Sequence, residues 1–147
     1  MNSSEIECIT RTVVSQYRKF VSWWTVLNAT SVVLDSNFQS IVHYLEANSD
    51  SQEIFQCLIK GITKPMNLFS NSSQLVKENL NALTEEVTNL IELSSSNNPV
   101  SEEDLLDVYD IIHELQEDLK ENFGDCKKHF IDYKLRWILF SDCFVTA

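Results

Sequence analysis

Turn-forming residues are nearly missing from this sequence, which has two glycines and two prolines in 147 residues. A multi-stranded β fold needs such residues at every hairpin, so their scarcity argues for few, long helices. It also removes backbone-lined phosphate cradles. The chain contains no P-loop, no Rossmann fingerprint and no Gly-x-Ser-x-Gly elbow. Basic residues are the second shortage: 11 stand against 22 acidic ones, for a net charge of −11. An acidic surface repels phosphate backbones and anionic headgroups, so direct nucleic-acid binding is not expected. Long apolar runs are missing as well. No stretch of about 18 apolar residues occurs, so no transmembrane helix is expected.

Cysteines are few and scattered. Cys8, Cys57, Cys126 and Cys143 form no CxxC pair, and most neighbour apolar helical positions, where a thiol acts as a small hydrophobe. The first residues carry neither a positive charge nor an apolar run, unlike a secretory signal. The expectation is an intracellular chain, in cytoplasm or nucleus, with reduced thiols. The sequons at Asn2, Asn28 and Asn71 would then go unglycosylated.

What is present is helical periodicity. From Leu105 to Phe144 apolar residues recur in alternating steps of three and four: Leu105, Val108, Ile112, Leu115, Leu119, Phe123, Cys126, Phe130, Tyr133, Trp137, Phe140 and Phe144. That is the spacing of one helix face. Ser101 caps this helix, and Glu102, Glu103 and Asp104 in its first turn complement the positive end of the helix dipole. Lys127, Lys128, Lys134 and Arg136 lie toward the other end. Gly124-Asp125 could mark a break, but the apolar face keeps its phase across it. A helix over about 101–144, continuous or slightly kinked at Gly124, is the favoured reading, because an interior glycine costs only about 1 kcal/mol against alanine.

Four shorter helices are predicted ahead of it. The first covers about 5–28, capped by Ser4 with Glu7, with the stripe Ile6, Ile9, Val13, Tyr17, Phe20, Trp24 and Leu27. The second lies within about 31–47, with Leu34, Phe38, Ile41 and Leu45 inward. Its cap is either Thr30-Ser31 or Ser36 with Gln39. The third, about 51–62, is capped by Asp50 with Glu53 and ended by Gly61 and Pro65. The fourth, about 72–93, is capped by Asn71 with Gln74 and carries a heptad seam of Val76, Leu80, Leu83, Val87 and Leu90. The polar stretch 94–100 is the clearest loop. The expected fold is all-α, a single-domain bundle of about five helices over residues 1–147.

Chemistry is thinly represented. Cys126 with His129, and His113 with Glu117, have spacings that could share an ion. However, neither set reaches the four ligands of a zinc site or the paired Glu-x-x-His arms of a di-iron bundle. No metal, no cofactor and no catalytic residue is expected. The acids Asp107, Asp110, Glu114, Glu117, Asp118 and Glu121 cluster on the polar side of the last helix. They read as a solvated face first and as a docking face for a basic partner second.

The most suggestive feature is an apolar surplus. Past residue 130 the last helix stops being amphipathic: Ile131, Leu135, Leu139 and Cys143 form a second line away from Phe130, Trp137 and Phe140. Trp23 and Val26 lie toward the edge of the first helix's stripe. Either the last helix is ringed by the others, or this line contacts a partner. The leading expectation is a non-enzymatic interaction module, an adaptor or small subunit of a complex, with Trp23, Val26, Ile131, Leu135, Leu139 and Cys143 as its binding residues. Self-association as a twofold dimer is a variant. The alternative is a helical regulator with a groove for a partner's amphipathic helix, as in apoptosis regulators. A helical-bundle metal protein or enzyme ranks third.

Overall fold

The computed structural model describes residues 3–47, 52–95 and 101–146. Among the described residues the chain is all-α, with three long helices packed as a bundle: α1 (Ser3–Ala47), α2 (Gln52–Ser95) and α3 (Glu102–Thr146). The expected count of five is thus corrected to three. The first two predicted helices are one, and so are the third and fourth.

The apolar stripe of α1 explains the first fusion. It passes from Leu27 through Ser31 to Leu34 in steps of four and three, and Ser31 is buried in that line. A serine at a core position resembles a cap in sequence. Here its hydroxyl turns back to donate to the Asn28 carbonyl at 3.0 Å. Thr30 does the same to Val26 at 2.9 Å, and Ser40 to Ser36 at 3.1 Å. Hydroxyls satisfied on their own helix need not end it.

In α2, Pro65 lies inside the helix. It removes one backbone donor, at a typical cost of about 3 kcal/mol in a helix interior. It is also buried, in step with Ile62 and Phe69 on the core side. The burial on this face continues unbroken in sevens: Ile62, Phe69, Val76, Leu83 and Leu90 are all within the core. Packing along the helix therefore outweighs the local breaker. Asn71 and Gln74 lie mid-helix rather than at a cap, and the Asp50–Glu53 cap falls partly outside the described residues.

The last helix is continuous through Gly124, which has an ordinary helical conformation. Ser101 caps it as expected, its hydroxyl accepting from the Asp104 amide at 3.4 Å. Its last turn holds no basic residue, so the cations lie too far back to complement the dipole there. Of the expected loop 94–100, Ser94 and Ser95 belong to α2, and 96–100 lie outside the described residues.

The helices pack as two compact units, each taking a segment of all three. Unit 1 comprises residues 1–25 and 75–122. Its core is Val13 and Phe20 of α1, Val76 to Leu90 of α2, and Leu105, Ile112 and Leu119 of α3. Polar pairs cross it: Thr10 to Ser94 at 2.9 Å and Tyr17 to Thr84 at 2.7 Å. Partners on α2 recede as α1 advances, so the two run antiparallel there. Unit 2 comprises residues 26–74 and 123–147. Phe69 packs on Phe130 and Tyr133, and Phe38 meets Phe140 edge-on at 6.0 Å. The Tyr133 hydroxyl donates to Asp35 at 2.7 Å, which ties α3 to α1.

Candidate docking surface

The inner line of α3 behaves as its spacing requires. Leu105, Ile112, Leu119, Cys126, Tyr133 and Phe140, seven apart, are all buried. The outer line is different. Ile131 is 56% exposed, Leu135 53% and Leu139 50%, and Ile138, which the sequence reading did not single out, is 47%. The ringed-helix explanation of the surplus is therefore corrected: these side chains face outward. Ile138 lies seven after Ile131 and three after Leu135, so it completes their line. Spacing by four alone, as in 131, 135 and 139, drifts around the helix and hides this member. Cys143 lies among residues whose side chains are not described.

On α1, Trp23 and Val26 are also exposed, and Trp23 meets Phe20 edge-on at 5.7 Å. Val32 and Val33 join them, unnoticed in sequence because a helix start was placed over them. Unit 2 holds most of these outward apolar residues: Val26, Val32, Val33, Tyr44, Leu68, Ile131, Leu135, Ile138 and Leu139. So many exposed large hydrophobic residues suggest a binding surface.

Charge is divided differently. Unit 1 contains fifteen acidic and five basic side chains, unit 2 seven and six. The acids Asp107, Asp110, Glu114, Glu117, Asp118 and Glu121 are all exposed in unit 1. Lys120 pairs with Glu117 at 3.3 Å. The acidic face and most of the outward apolar residues thus belong to separate units.

Compared with known proteins, the chain matches no family model, no curated protein and no solved structure.

Among the described residues no cluster of three metal-ligating side chains occurs. Cys126 is fully buried, and burial pushes its thiol up to about 11, which keeps it protonated and unreactive at neutral pH. His113 is exposed. Tyr133 is raised too, first by burial and then by its bond to Asp35. Both groups serve the core. Two broad, open surface depressions among the described residues each lie along one helix. The larger, about 550 Å³, is lined by α1 residues including Arg11, Val14 and Arg18, and Arg11 is paired with Glu7. Among the described residues no helix is long and apolar enough to cross a membrane.

Proposed function

We propose that this chain is a non-enzymatic protein-interaction module, an adaptor or small subunit, that binds a protein partner through the outer apolar line of α3 in unit 2. The observation that carries this reading is the half exposure of Ile131, Leu135, Ile138 and Leu139, consecutive members of one outward face. An isolated exposed leucine needs no explanation, whereas a contiguous apolar line in a chain of net charge −11 does. Trp23 and Val26 are further contact candidates, and the acids from Asp107 to Glu121 are a docking face for a basic segment in the same reading. The intracellular assignment belongs to this proposal. A groove-type regulator has no specific observation in its favour among the described residues, where two broad depressions each lie along a single helix.

The test is the double variant Leu135→Asp/Leu139→Asp. Both residues face outward, so helical circular dichroism and the thermal midpoint should stay close to those of the parent. Proteins that co-purify with the parent, quantified by mass spectrometry, should be depleted at least tenfold with the variant. An unchanged set would overturn the reading.

A further inference from the structure

The net charge suggests a basic partner, but the surroundings of the apolar line say otherwise. At about 100° per residue, the line Ile131–Leu135–Ile138–Leu139 has borders roughly 70–90° to either side of its middle. Lys127 and Lys134, seven apart, occupy one border; Asp125 and Asp132, also seven apart, occupy the other. Lys128 extends the line itself by one step. All three lysines are exposed, and among the described residues none forms an ion pair. Asp132, by contrast, is engaged by Arg136 at 3.7 Å. Asp125 is exposed and, among the described residues, likewise in no ion pair, so three uncompensated lysines stand against one aspartate. Over the described side chains the net charge beside the apolar line is therefore positive, although the chain as a whole is strongly negative.

We infer that the occupant of this face is a single amphipathic helix with an acidic edge, its apolar residues against Ile131, Leu135, Ile138 and Leu139 and its carboxylates against Lys127, Lys128 and Lys134. This inference rests on the docking reading above and specifies its partner. The exposed part of the four apolar side chains amounts to on the order of 100 Å² each. Together the four offer about half of what each side of a stable protein–protein interface buries, roughly 800 Å². It suits one helix laid along α3 better than a second globular copy. A second copy packed antiparallel on this line would also set the lysine border against its own equivalent. A helix lying on an anionic membrane carries cations on both borders of its apolar face; here one border is acidic.

Two fluorescein-labelled 18-residue helical peptides make the test. Both carry leucines at i, i+4, i+7 and i+11; one has glutamates along one edge, the other lysines at the same positions. Fluorescence anisotropy against the full chain should show the glutamate peptide binding at least tenfold more tightly. Lys127→Glu/Lys134→Glu should reverse that preference, a result that a merely sticky apolar patch would not produce. Equal affinity for both peptides, lost in Leu135→Asp/Leu139→Asp, would overturn the acidic-edge inference and leave the docking reading intact. Binding unaffected by Leu135→Asp/Leu139→Asp would remove both. Co-sedimentation with vesicles of 30% phosphatidylserine and 70% phosphatidylcholine, in the absence of peptide preference, would overturn the inference in favour of a lipid surface.

Discussion

Cys126 and Leu135 are both small or medium apolar side chains on α3, nine residues apart, and they meet opposite fates. Cys126 is on the inner line, its thiol raised by burial from an ordinary 9.0 to about 11. The sign of its contribution follows from the charged form. Unfolding lets the thiol ionise above pH 9, while folding holds it protonated to about 11. Stability from this group is complete below pH 9 and is lost as pH rises through 11. Chemical denaturation between pH 8 and 11 should show a fall that Cys126→Ala flattens by on the order of 1–2 kcal/mol. Three polar atoms show the opposite side of burial. Asn79 Nδ2, Gln116 Nε2 and Trp137 Nε1 are enclosed without a hydrogen-bond partner in the protein. None of these fates is written in the residue type; each depends on what the neighbouring helices cover.

At the scale of the element, two local breakers fail to break. Gly124 and Pro65 both sit inside helices, and both helices keep an apolar face in step across them. A Cβ at Gly124 would meet nothing within 4 Å. Gly124→Ala should therefore stabilise the protein by about 1 kcal/mol, seen as a higher urea midpoint with unchanged slope. Pro65→Ala restores a backbone donor but gives up part of a buried ring, so the expected net gain is smaller than the full helix penalty, about 1–2 kcal/mol. A loss of stability on removing the proline would show that its ring, rather than the continuous seam, holds that part of α2 in place. Among the described side chains the inner faces were legible from spacing alone: every stripe residue of α3 from Leu105 to Phe140 is buried or half-buried, while Leu45, Ile54, Phe55 and Leu58 lie outside the described side chains. The helix boundaries at 28–31 and 61–72 were not. Serine, threonine, asparagine and proline carry the same local signal at a helix end as inside a helix whose face is being buried.

Across the whole molecule the division of charge matters most. Fifteen of 22 acidic side chains fall in unit 1, where Lys120 and Arg11 make exposed ion pairs that contribute little. Like charges along one helix face repel, and salt screens them, because the Debye length falls from about 30 Å at 0.01 M to about 3 Å at 1 M. Raising sodium chloride from 0.01 to 0.5 M should thus raise the thermal midpoint by a few degrees. A fall on adding salt would mean that the surface ion pairs outweigh the repulsion. The same division separates the acidic face from most of the outward apolar residues, so a single partner need not use both.

By itself the sequence determined the class and the inner surfaces. Scarce turn residues and unbroken three–four spacing require long helices, because only a helix brings such positions to one side. Its total charge and its apolar surplus were plain as well. Only the tertiary structure decided that the described residues form three helices, and that the described part of the surplus on α3 faces outward. The physical reason is the same in both cases. Whether a helix continues past a weak residue, and whether an apolar side chain is covered, depend on the free energy of packing against residues distant in sequence, to which local spacing is blind.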